Sequence, residues 1–250
     1  MSRAQSASRI DKLMERASLA LTERDYFECE RCCVEAMERA HTVRDYDRMA
    51  RICLPLQEAR RQRRLIAIDT GRLFQIDEPL PEEEKLESGC YLIEPPLVGA
   101  DGRDLRERAD REEVNICIVV REPKTALGKW PVVMIGPVTV RTYMDPPADE
   151  EHATMEWFIQ AGEALGDAAI SGVDSEASSD SRVDQYYDRL GTVTEHEKLH
   201  QRLEESCREV AAAIASGEME RPPKRAPSKR RRGLRLMASR ESSSEESSEA

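Results

Sequence analysis

Aromatic residues are scarce in this chain, with three Phe, six Tyr and two Trp among 250 residues. Any core must therefore be aliphatic and lean, spread over charged amphipathic helices rather than gathered into one large globule. Long apolar runs are missing as well. Those present, such as residues 132–135 (VVMI), are strand-sized, far short of the ~18 residues a membrane span needs, so no membrane partner is expected. No secretory pattern follows Met1-Ser2-Arg3-Ala4. The seven Cys are odd in number and sit inside apolar patterns rather than in a loop-rich framework. Together these suggest a reducing, cytoplasmic home. Gly99-Ala100-Asp101-Gly102 has neither the glycine spacing nor the lysine of a phosphate loop, and no Gly-x-Ser-x-Gly elbow occurs. The nucleotide and hydrolase chemistries that depend on those loops have no support, and no cofactor is expected.

Charge is abundant, at 35% of residues. The net value of −11 hides an asymmetry, because residues 221–240 hold nine Lys/Arg and no acid, and 241–250 hold four Glu. Residues 1–220 thus carry −16 and would repel nucleic acid unless the basic tail acted alone.

Residues 9–64 read as a run of amphipathic helix. Ile10, Leu13, Met14, Ala17 and Leu21 form one buried stripe, with Ser8 as N-cap. A second helix spans 26–40 with Tyr26, Cys29, Cys33, Ala36, Met37 and Ala40 inward. A third begins near Asp45 and buries Tyr46, Met49, Ile52, Cys53 and Leu56, with a kink or restart at Pro55. Residues 10–40 resemble a tetratricopeptide-type helical hairpin. Asp25-Tyr26 resembles that family's aspartate–tyrosine pair at the turn, Cys29, Cys33 and Ala36 fall on its packing positions, and Ala17 and Ala20 on its first-helix contacts. Arg24, Arg16 and His41 depart from its common glycine, leucine and proline, and Arg44-Asp45-Tyr46 repeats Arg24-Asp25-Tyr26 after 20 residues rather than 34. The resemblance implies a helical hairpin with a third helix, and protein binding.

Arg60, Arg61, Arg63 and Arg64 then close the run, either as cations favoured at a helix C-terminus or as a site for an acidic partner. Residues 65–68 and 72–76 read as a hairpin around Asp69-Thr70-Gly71. Strand 90–93, helix 103–113 and strand 114–121 suggest a βαβ-like unit, and residues 131–143 add one or two strands broken at Gly136-Pro137. Residues 149–170 read as a helix with Phe158, Gly162 and Leu165 on one side, 171–184 as a Ser/Asp-rich loop, 186–190 as a short helix and 194–215 as a long one.

Three motifs invite chemical readings. His196-Glu197-Lys198-Leu199-His200 matches the HExxH pattern of zinc hydrolases, in which histidines at i and i+4 ligate the metal. Lys198, Arg202, Glu195 and Glu204 make its surroundings polar, no later His supplies a third ligand, and with Leu199 and Leu203 inward both histidines are expected on or near the solvated side. Ile68-Asp69-Thr70-Gly71 looks like an aspartic-protease loop but is also good turn chemistry. Cys29, Cys32, Cys33 and Cys53 could gather as thiols, although mid-helix positions suit packing better than a zinc knuckle.

The sequence thus predicts an α+β protein: a tetratricopeptide-like helical module over 1–64, a small α/β sheet domain over 65–147, C-terminal helices over 148–217, and a disordered basic-then-acidic tail over 218–250. The expected function is that of a non-catalytic interaction or scaffold protein, with Arg60, Arg61, Arg63 and Arg64 as partner-binding candidates. The alternatives are a nucleic-acid-associated protein and an HExxH zinc hydrolase. In the former, residues 221–240, with Lys229, Arg230, Arg231 and Arg232 at their centre, would hold nucleic acid or another polyanion in a salt-sensitive way.

Overall fold

The computed structural model describes residues 3–224; the four tail cations Lys229, Arg230, Arg231 and Arg232 lie outside them. The described part is α+β, with seven helices and one five-stranded mixed sheet. Helix α1 (Arg3–Thr22) begins well before the expected Ser8 cap, because nothing in residues 3–8 breaks a helix. It buries Ile10, Leu13, Ala17 and Ala20 against α2 (Tyr26–Val43).

The two Arg-Asp-Tyr triplets are two copies of one corner. At the first, Arg24 takes the left-handed conformation (φ 63°), its N–H reaches the Leu21 carbonyl at 3.2 Å, and the Asp25 N–H reaches Ala20 at 2.8 Å. Asp25 then caps α2 by accepting from the Glu28 amide. At the second, Arg44 (φ 56°) and Asp45 bond back to His41 and Ala40 at 3.2 and 2.9 Å, and Asp45 caps α3 (Tyr46–Asp69) by accepting from Arg48. Each corner thus joins a Schellman-type helix stop to a side-chain N-cap, leaving no linker between helices.

Helix α3 corrects several expectations at once. It runs unbroken through Pro55 and on to Asp69, so residues 65–68 are helical rather than a strand. A four-residue apolar run fits either state, and here the preceding helix and the burial of Ala67 decide. The arginines at 60–64 lie inside the helix and not at its end, and its last turn contains no cation. Asp69-Thr70-Gly71 is the helix exit, with Gly71 at φ 65°, and not the tip of a hairpin. The boundary expected after residue 64 falls within this helix.

The sheet comprises β1 (Leu73–Ile76), β2 (Gly89–Ile93), β3 (Ile116–Arg121), β4 (Trp130–Ile135) and β5 (Thr139–Met144), in that spatial order. β1, β2 and β3 are parallel, whereas β4 and β5 join as antiparallel neighbours. The expected βαβ unit is β2, α4 (Gly99–Arg111) and β3. Helix α4 covers one face through Leu105 and Ala109 against Ile93, Ile118 and Val120. Its Gly102 permits that approach, since a Cβ there would stand 2.4 Å from Val120. With β2 and β3 apolar on both sides, their continuous hydrophobic reading is explained.

The other face meets α3, α5 (Met155–Ser171) and their neighbours. The remaining helices are α6 (Ser179–Leu190) and α7 (Glu197–Ser216). α6 takes the last six residues of the stretch expected to be loop, and α7 packs along α3. Ile10, Met49, Leu92, Trp130, Leu165 and Leu203 belong to one continuous core. Fully burying one such aliphatic side chain contributes about 1.5–3 kcal/mol.

Candidate functional site

Two sequence features far apart in the chain, the Arg60–64 segment and the His196–His200 pair, meet where α3 and α7 pack. Arg60 and Arg63 both bind Glu30 of α2, Arg60 at 2.7 Å, and Arg63 continues to Asp110 of α4 at 2.7 Å while lying 3.9 Å over the Phe27 ring. Burial alone would raise the Glu30 pKa, but the two guanidinium groups outweigh it and hold the carboxyl at about 2. Arg64 reaches Glu163 of α5 at 2.8 Å. Arg61, the outermost of the four, pairs at 3.0 Å with Glu58 on its own helix.

His196 and His200 are buried, contrary to the solvated placement expected. α7 is covered by α3 on one side and α5 and α6 on others, so its buried arc is wider than the single stripe of Leu199 and Leu203. His200 Nδ1 lies 3.0 Å from the His196 carbonyl and donates to it, leaving Nε2 as an acceptor 3.4 Å from Arg60 Nη1. Burial, reinforced by the Arg60 charge, pushes the His200 pKa down to about 3, so its imidazole is neutral at physiological pH. His196 is the N-cap of α7 and gives that helix no side-chain cap. Its ring lies against Gly166 of α5, where a Cβ would stand 2.0 Å from the imidazole. Its Nε2 is 3.3 Å from Glu163 and 3.7 Å from Asp167, and neither ring nitrogen makes an aligned hydrogen bond.

The two rings therefore diverge, one toward a guanidinium and one toward α5. A metal at His200 Nε2 would sit beside the Arg60 cation. Among the described residues, no three His, Cys, Asp or Glu side chains converge as metal ligands. Glu163 is held at about 2, by His196 first and by Arg64, against the raising effect of burial.

Beside His196 a small cleft opens between α5, the sheet and the turn before α7. Arg64 and Arg106 stand at its edge; Arg106 binds Thr194 and, at 3.0 Å, Glu195. Cys117, Met134 and Phe158 line it from the core side. Cys117 pairs directly with Cys90 across the parallel strands, and that contact together with burial raises its thiol pKa well above the usual value. Cys29, Cys32, Cys33 and Cys53 are also buried free thiols, placed in the core.

A second polar cluster had no counterpart in the sequence reading. Asp184 of α6 accepts from Arg44 at 2.7 and 3.1 Å and meets His41 Nε2 at 2.6 Å, while the His41 ring stacks on Tyr187 at 4.0 Å. Burial opposes its ionisation, yet His41 and Arg44 hold it at about 2. The Ser/Asp-rich composition around Asp184 pointed to a loop and concealed this role.

The class established here is an α+β fold with an N-terminal pair of helical corners. Compared with protein-family models, with curated proteins and with solved structures, the chain matches none. No helix among the described residues is long and apolar enough to cross a membrane.

Proposed function

We propose that this protein is a non-catalytic interaction or scaffold protein, with α1–α3 as its docking module. The observation that carries this reading is the outward line of α3. Leu54 is 65% exposed and Leu65 38% exposed. They lie about three helical turns apart on one face, with Glu58 and Arg61 between them. Large apolar side chains left in water on a well-packed helix suit a partner that covers them, as an amphipathic segment does when it lies against a helix face. Arg61 falls on this line. Arg60, Arg63 and Arg64 instead engage internal carboxylates, which favours a role in setting the position of α3 over direct contact.

The test is co-purification with the full-length chain as bait, comparing the native protein with Leu54→Glu/Leu65→Glu and with Arg61→Glu. The proteins recovered with the native bait should fall at least about tenfold with the double variant, the size expected from loss of one anchoring contact. The unfolding midpoint should fall only slightly, since Leu54 is mostly exposed and Leu65 partly so. Equal recovery with a folded double variant sinks the proposal.

A further inference from the structure

The cleft beside His196 has the properties of a ligand site rather than of a packing defect. Gly162 lies inside α5, where glycine is disfavoured, and a Cβ built on it would meet nothing within 4 Å. One turn on, Gly166 has a packing reason in the His196 ring, whereas Gly162 has only the open space that it preserves. His196 is 3% exposed and borders the cleft; its Nε2 faces Glu163 at 3.3 Å, while Nδ1 has no partner among the described residues, which is rare for a buried polar atom. Arg64 bonds through Nη2 alone and Arg106 through Nη1 alone, so the other N–H groups of both guanidinium groups make no hydrogen bond among the described residues. The uncapped N-terminus of α7 adds a positive dipole end at the same place.

Three considerations narrow the ligand. The partly open cleft has room, at about 40 Å³, for about three water molecules, the size of a carboxylate with one or two carbons attached. Met134 and Phe158 offer no donors, which suits a short apolar arm and not the fourth side of a phosphate. Glu163 and Glu195 already neutralise the two arginines, so the remaining N–H donors and the helix dipole suit one negative charge and no more. We propose that this cleft binds a small monocarboxylate, its carboxylate between Arg64 and Arg106 at the start of α7 and its apolar arm over Gly162.

Propionate is the probe, added to full-length protein and followed by saturation-transfer NMR and calorimetry. Saturable binding should weaken at least about tenfold in Gly162→Leu, which fills the space, and in Arg106→Gln, which removes the charge. Melting curves check that each variant is folded, and Gly162→Ala serves as the smaller step if the leucine is not tolerated. Absence of saturable binding, or binding indifferent to these substitutions, overturns the proposal. Inorganic phosphate displacing propionate at equal or lower concentration overturns the carboxylate assignment.

Discussion

Arg24-Asp25-Tyr26 and Arg44-Asp45-Tyr46 build the same backbone and serve different ends. Both arginines are left-handed, both aspartates cap the next helix, and the backbone hydrogen bonds that stop the preceding helix agree within 0.1 Å. The first corner is exposed at Arg24 and Asp25. The second is buried, with Arg44 at 9% and Tyr46 at 2% exposure, and α6 reaches over it with Asp184. A local motif thus sets the turn, while tertiary packing decides whether its side chains become part of the interior.

Replacing each arginine by glycine should separate the two corners most sharply. Arg44→Gly relieves the left-handed backbone but strips the half-buried Asp184 of its guanidinium partner, leaving it His41, and is expected to destabilise by about 2 kcal/mol. Arg24→Gly only relieves the backbone, and should stabilise by a few tenths to about 1 kcal/mol. Urea denaturation with an unchanged slope would measure both; a shift of the same sign at the two sites would dissolve the distinction.

Acid should act on the buried corner through Asp184 and on the contact between α2 and α3 through Glu30. Asp184 and Glu30 are ionised in the fold down to about pH 2, below their ordinary values of 3.8 and 4.5. Depressed folded pKa values mean stabilisation that is present above the unfolded values and lost as pH falls through the folded ones. About 2 kcal/mol from Asp184 and about 3 kcal/mol from Glu30 should therefore disappear between roughly pH 4.5 and pH 2. Stability measured across that window in Asp184→Asn should fall less steeply than in the native chain; parallel curves would show that Asp184 does not carry its share.

The caps give the smallest contrast. Asp25→Ala should cost about 1 kcal/mol, the ordinary loss of an N-cap. Asp45→Ala should cost somewhat more, because Asp45 also holds Arg48 at 2.8 Å. Thermal melts of the pair of variants compare them directly, and a larger loss at Asp25 would reverse the ranking.

Much of the fold was legible because its signals are local. The helical stripes of α1 and α2, the βαβ unit and the break at Gly136-Pro137 all follow from periodicity and turn chemistry over a few residues. What failed was the state of short segments whose neighbours decide. Residues 65–68 became helix because α3 was already running, and the region around Asp184 became helix because its acid found His41 and Arg44. The HExxH spacing is visible in the sequence, but the burial of its histidines is not, since no sequence period reveals that α7 is covered on several sides. Of the cleft, the sequence offers Arg64, His196 and Gly162 as separate features and gives no sign of Arg106; Arg64 and His196 are 132 residues apart and meet only through the packing of α3, α4 and α7.

Helix α3 is about 36 Å long at 1.5 Å per residue, and it belongs to the helical corners at one end and to the sheet at the other. No hinge separates those parts, so truncation after residue 64 would sever a rod rather than release a module. Limited proteolysis should find its first cuts in the acidic segment between β1 and β2 or in the turn before α5, and calorimetry should record the described residues melting in one step. Fragments meant to isolate the docking face have to keep all of α3 and the strands it leans on, which makes surface substitution, not dissection, the workable route to mapping this protein.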